Sequence, residues 1–203
     1  VDSIKSTLAE AFFGILPGDF EIRVNNDVVV AETPIYEFMY PNGDAVDSEG
    51  FATISLGIDD MPEPLEYRYS VRFREKGTHL PAAKRGARIY CNNRLAAGPT
   101  LLDLPTGMHN FHAQSDMECI VNADELDRFG VDIINTNRTH LRQDSQLVEK
   151  LLNTITASME TAIKEHAKFR DGKAAQDIES NMQARSLARV AQQLPSRSRG
   201  PIK

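Results

Sequence analysis

Arg138 carries the chemistry most worth placing in this chain. A guanidinium is planar, permanently charged and forked, so it can meet two phosphate oxygens at once and stabilise charge that develops during transfer. Arg138 closes the polar segment Asn135-Thr136-Asn137-Arg138, just ahead of a long amphipathic pattern. An arginine there is held by a rigid element yet sits on an exposed turn, which suits contact with something outside the domain. A surface arginine paired with Asp132 or Asp144 fits the same residue types. Lys84-Arg85 form a basic pair in the loop GTHLPAAKRG, where a solvated surface is the plain reading. His109 and His112 lie in a stretch read as strand, and positions three apart on a strand face opposite sides, so no shared metal ion is expected. Asp124, Glu125 and Asp127 crowd a strand-to-loop turn, where capping or turn stabilisation accounts for them better than an acid/base pair. No Gly-rich phosphate loop, nucleophile elbow or His/Asp/Ser set is present. Cys91 and Cys119 are isolated, so neither a zinc motif nor a disulfide framework is indicated, and a reducing cytoplasm is the default expectation.

The elements that must position these groups follow from periodicity. Val148, Leu151, Leu152, Ile155, Met159, Ala162, Ile163 and His166/Phe169 recur at three- and four-residue spacing, one buried stripe of a helix. Asp144 or Ser145 can cap its start, and Gly172, after Lys168 and Arg170, is the expected stop. A second helix is an option over residues 174–194. Asp2 to Leu16 reads as a helix closed by Pro17-Gly18. Phe20–Val24 and Val28–Val30 read as strands around the turn Asn25-Asn26-Asp27. Tyr36–Tyr40, Phe51–Ile58, Leu65–Arg74, Ala87–Cys91 and His109–Val121 are further strands. In Leu65–Arg74, Tyr67, Tyr69, Val71 and Phe73 alternate with Arg68, Ser70, Arg72 and Arg74, the period of a half-buried antiparallel strand. Residues 41–50, 59–64, 77–86 and 98–107 read as loops, and no internal repeat is visible.

At 203 residues the chain can hold one large domain or two small ones with an ample core. Its net charge of −6 argues on average against a generally basic nucleic-acid binder. Distribution says more. Between Val24 and Tyr67 there is no Lys or Arg while acids recur, so that part should repel phosphate backbones. After Glu179 come Arg185, Arg189, Arg197, Arg199 and Lys203 with no acid, a solvated linker or an electrostatic handle for a polyanion. No apolar run approaches the ~18–20 residues of a membrane span, and no signal-like segment is present, so no membrane partner is expected. Val1 is not preceded by an initiator methionine, which leads us to expect a piece of a larger protein.

The run Asn122-Ala123-Asp124, Leu126-Asp127, Asp132-Ile133-Ile134, Thr136, Arg138, Leu141 and Asp144 resembles the end of the transducer (middle) domain of GHKL ATPases. That superfamily holds the ninety-kilodalton heat-shock chaperones, DNA gyrase B, MutL and MORC proteins. In the chaperones the stretch reads as an asparagine, two residues, an arginine, two residues, a leucine and then a helix, and Asn135, Arg138 and Leu141 stand in that register. Arg88-Ile89-Tyr90-Cys91-Asn92-Asn93-Arg94-Leu95 is similar to the strand, asparagine turn and Arg-Leu pair of the same transducers. The likeness covers roughly Ala87 to Phe169 and thins back toward Val1.

The resemblance implies an α/β (α+β) fold. It would be a mixed sheet with a long C-terminal helix, like ribosomal protein S-five domain two, with a left-handed βαβ crossover. It implies that Arg138, with Asn135 and Arg142 near it, crosses to the terminal phosphate of ATP held by a preceding ATPase domain. Arg142 stands where the chaperones carry an assisting glutamine. Lys84 or Arg85 would correspond to the nucleotide-facing lysine of the gyrase and MutL branches. The expected organisation is a helix over residues 1–17 from that ATPase domain, a transducer-like domain over 18–170 with an optional subdivision near 76–86, and a linker or partly helical basic tail over 171–203. ATP and Mg would belong to the parent protein, which the family implies is a dimer with a chaperone-like or related coupling role. The fragment itself lacks the Glu/Asn magnesium helix, the Asp-x-Gly-x-Gly adenine motif and the glycine-rich lid, so no cofactor of its own and no catalysis of its own are expected. Two other readings stay open: a nucleic-acid-binding module using the basic tail, and a self-association module using the Val148–Phe169 stripe.

Overall fold

The computed structural model describes residues 2–12, 21–30, 35–57, 63–75, 80–104, 111–129, 133–134, 140–142 and 145–193. They fall into two units, residues 1–163 and 164–203. Along the chain the elements are α1 (Asp2–Ala11), β1 (Arg23–Val24), β2 (Asp27–Val28), β3 (Tyr36–Tyr40), β4 (Ala52–Leu56), β5 (Leu65–Arg74), β6 (Gly86–Cys91), β7 (Arg94–Thr100), α2 (Phe111–Asp116), β8 (Met117–Asn122) and α3 (Gln146–Gln193). The fold is therefore α+β, a mixed sheet with a long C-terminal helix, as the sequence leads one to expect.

Asn25 and Asn26 take φ of 53° and 67° and turn β1 back onto β2. Short polar side chains tolerate that region, and the turn it forms matches the twist of a hairpin. Lys5 of α1 reaches Asp27 at 2.5 Å, and the Arg94 guanidinium lies 5.9 Å from the Phe12 ring centroid, so α1 is held against both the hairpin and β7.

The main sheet runs β3-β5-β8-β6-β7, with β4 also paired to β5. β3 pairs antiparallel with Val71–Arg74, and β4 pairs antiparallel with Leu65–Tyr69. They are two halves of one edge, and residues 41–51 leave the sheet between them. β8 inserts between β5 and β6, antiparallel to the first and parallel to the second. Its period of two sends Met117, Cys119 and Val121 to one face, together with Tyr67, Tyr69, Val71 and Phe73 of β5 and Ala87, Ile89 and Cys91 of β6. Val148, Leu151, Ile155, Met159 and Ala162 of α3 cover that face, which accounts for the helical stripe. The Ser145 carbonyl accepts from the Glu149 amide at 3.0 Å and so opens the helix.

Three expectations need correction. Residues 111–116 are helical rather than strand, because FHAQSD lacks the apolar alternation that begins at Met117. The strand premise used for His109 and His112 goes with it: His112 lies on α2, and His109 lies outside the described residues. β7 runs on to Thr100, with register shifts against β6, so the irregular stretch begins later than Gly98. Finally, α3 passes through Gly172 as one helix instead of stopping there for a second to start. Gly172 lacks the positive φ of a helix-ending glycine, and the strong helix formers Lys173, Ala174, Ala175 and Gln176 carry the helix on.

Two glycines make opposite demands. Gly86 has φ of 85° and a Cβ there would run into the backbone of Thr100, whereas a Cβ on Gly172 meets nothing. Gly172→Ala is expected to stabilise the helix by about 0.8–1.0 kcal/mol, read from its thermal unfolding by circular dichroism. Gly86→Ala should cost at least about 1–3 kcal/mol from the backbone conformation alone, read as a lower denaturant midpoint.

Candidate functional site

The other face of the sheet carries the charge. Arg68, Ser70 and Arg72 of β5 meet Asn122, Ile120 and Glu118 of β8 in register, and Arg88 and Tyr90 of β6 stand beside Ile120 and Asn122. Arg88 and Glu118 are each 1% exposed and form a direct ion pair. Glu118 accepts from Arg88 Nη2 through Oε2 and from the Tyr36 hydroxyl through Oε1. Arg88 Nη1 also donates to the Tyr90 hydroxyl at 3.3 Å. Burial pushes the Glu118 carboxyl up and the Arg88 guanidinium down from their ordinary values. A guanidinium does not give up its proton, so each charge is tolerated inside because the other answers it.

The excursion between β3 and β4 folds over this layer. Asp47 Oδ1 accepts from the amides of Glu49 at 2.9 Å and Phe51 at 3.0 Å, closing a tight turn. The Phe51 amide, with Arg68 adding to it, holds the Asp47 carboxyl below its usual range. Arg68 Nη2 reaches Asp47 at 2.5 Å and Glu49 at 2.8 Å. Phe51 is buried, and the guanidinium carbons of Arg68 and Arg72 each lie 5.0 Å from its ring centroid. Beneath the excursion is a cavity of about 430 Å³, lined among others by Phe51, Arg68, Arg72, Tyr90, Asn93 and Asn122. A neighbouring cavity of about 290 Å³ shares Arg68, Asn93 and Asn122 and adds Glu66, Asp124 and Glu125.

A third cluster ties the β6–β7 turn to the segment after β8. Asn92 and Asn93 take φ of 50° and 60°, the hairpin geometry that Asn tolerates. The Asn92 amide donates to Asp124 Oδ1 at 2.7 Å, and its side-chain amide donates to Asp127 Oδ2 at 2.6 Å. Glu125 accepts from the Glu66 amide at 2.7 Å and from Arg128 at 2.7 Å. The three acids are thus turn stabilisers, but of turns and strand ends far along the chain.

Of the residues singled out from sequence, Asn135 and Arg138 lie outside the described residues. Arg142 is exposed, and its amide donates to the Ile133 carbonyl at 2.9 Å beside the bridge between Ile134 and Leu141. Lys84 ends a short 3-10 turn (Ala82–Lys84), and Arg85 Nε donates to the Leu80 carbonyl at 2.7 Å. None of Lys84, Arg85 and Arg142 lines the cavity. Burial pushes the thiols of Cys91 and Cys119 up to about 11 and about 12, so both stay protonated and unreactive near neutrality. Among the described residues no group of three or more His, Cys, Asp or Glu side chains is placed to hold a metal, and no helix is long and apolar enough to cross a membrane. Phe51, Arg72 and Glu118 were not singled out from sequence. A single charge inside an apolar run, as in Met117-Glu118-Cys119-Ile120-Val121, is the signal that marks the buried pair. Comparison with protein-family models, with curated proteins and with solved structures finds no match to this chain.

Glu118→Leu should cost about 3–5 kcal/mol in chemical denaturation, because it leaves a buried guanidinium without a counter-charge. Combining it with Arg88→Met should restore most of that loss. Equal destabilisation by the single and double variants would show that the pair does not act as a unit.

Proposed function

We propose that this chain is the coupling (transducer) segment of a GHKL-type ATPase, passing on to downstream segments the presence of ATP held in another domain of the parent protein. The observation that carries the reading is the contact between the two stretches that bear the resemblance. Asn92, in the turn after β6, is bonded to both Asp124 and Asp127, and the Ala123 amide donates to the Tyr90 carbonyl at 2.9 Å. The segment that follows leads through the Ile134–Leu141 bridge into α3, whose first four turns are packed on the sheet. A displacement at the bridge therefore bears on a rigid helix on one side and on the strand ends on the other.

In this reading Arg138 meets the terminal phosphate, assisted by Asn135 and Arg142, while Lys84 or Arg85 offers a second cationic contact. The nucleotide and its Mg are held by the other domain, so this segment supplies a charge and a lever. The parent protein would work as a homodimer in the cytoplasm, as the resemblance implies. Replacing Arg138 by Ala in the full-length protein is expected to lower ATP turnover by at least about tenfold, with the roughly 10³–10⁵ that such arginines contribute elsewhere as the upper bound. Nucleotide affinity, measured by calorimetry, should stay within about threefold, because the interaction is one of the closed state rather than of binding. Unchanged turnover would remove the role given to Arg138.

A further inference from the structure

We propose that the cavity beneath residues 41–51 is a binding site for a small ligand bearing one oxyanion group, with Arg72 as the residue that receives the carboxylate or phosphate. Three arginines share this face of the sheet, and they differ in how their charge is answered. Arg88 has Glu118, and Arg68 has both Asp47 and Glu49. Arg72 pairs with no carboxylate among the described residues, although Glu118 stands directly opposite it in register. Glu118 gives its two oxygens to Tyr36 and Arg88 instead.

Arg72 is nevertheless held in place. Its Nε donates to Ser70 Oγ at 3.1 Å and its Nη2 to the Glu49 carbonyl at 3.3 Å. The Phe51 and Tyr36 rings lie 5.0 and 5.6 Å from the guanidinium carbon. Neutral oxygens and two aromatic rings fix its direction, and the Glu49 and Asp47 carboxylates act on its charge only through space, without pairing to it. Partly desolvated charges of this kind cost free energy unless a counter-charge arrives, and burial already lowers the Arg72 pKa from its ordinary value. A planar fork fixed in advance loses little freedom when it takes two oxygens.

The rest of the lining sets the class of ligand. Asn93 and Asn122 bring amide donors and acceptors, while Phe51 and Ile120 provide an apolar wall. A volume of about 430 Å³ lies in the range of small-molecule sites. The Glu49 carboxylate also borders the cavity, which disfavours a polyanion and favours a single charged group on an otherwise compact body. This inference does not depend on the coupling reading, since none of its residues belongs to the nucleotide-facing set.

The test uses the whole 203-residue chain, with benzoate and inorganic phosphate as separate probes in calorimetry and thermal-shift titrations. Saturable one-to-one binding in the millimolar range or tighter is expected for at least one of them. Benzoate alone would assign a carboxylate ligand, and phosphate alone a phosphoryl one. Arg72→Gln should weaken that binding by about tenfold or more, and Lys150→Ala, on the exposed side of α3, should leave it unchanged. If Arg72→Gln fails to fold, Asn122→Leu takes its place, with the same loss expected. Absence of saturable binding by either probe, or undiminished binding in the folded cavity variant, would overturn the assignment.

Discussion

The structure depends on β8 being two strands in one. Met117, Cys119 and Val121 must lie under α3, while Glu118 must meet Arg88 on the opposite face. Both faces of the strand are buried, so neither can use water to repair an error. A slip of one residue would carry Glu118 into the apolar core and leave Arg88 without its counter-charge. Hydrophobic burial alone would accept several alignments of a short apolar strand. The ion pair accepts one, and it fixes β8 against its parallel neighbour β6, where hairpin geometry cannot set the register.

That choice of register explains the layer built around it. Once Glu118 is committed to Arg88 and Tyr36, the two outer arginines of β5 need other partners. The acidic excursion provides them for Arg68, through Asp47 and Glu49, and pairs Arg72 directly with only a peptide oxygen and the Phe51 ring. The acid-rich stretch is therefore spent partly on a partner within the fold. Two of its carboxylates answer one arginine of the sheet, Arg68, so its repulsion of outside phosphates is smaller than residue counting implies.

Strict alternation made Leu65–Arg74 legible from sequence with its observed bounds, and Tyr36–Tyr40, read simply as a strand, also has them. The α3 stripe was legible too, because its spacing reports directly on the face it buries. The polar face of the sheet was less legible. Arg68, Ser70 and Arg72 read as the solvent side of a half-buried strand, and nothing in that pattern shows that residues 41–51 return to cover it. Such a cover is a long-range pairing, set by Asp47 meeting Arg68 across the fold and not by local propensity. The passage of α3 through Gly172 was missed for the opposite reason, since one unfavourable residue was weighed above the helix formers that follow it.

The turn of Asn92 and Asn93 shows why likeness in sequence and linkage in space are different kinds of support for coupling. Asparagine at two successive positive-φ positions is common hairpin chemistry, and by itself says nothing about nucleotides. Asp124 and Asp127 add a physical connection: they hold that turn from the segment leading toward the bridge and α3. In the coupling reading, the described residues on either side of that segment are anchored, by the Asn92 turn before it and by α3 packing after it. Whether motion results then depends on which anchor yields first. The exposed hydrogen bonds of Asn92 are far weaker than the buried apolar contacts of Val148, Leu151 and Ile155. In the coupling reading the β6–β7 turn is therefore the part that gives, and the helix is the part that carries the displacement onward.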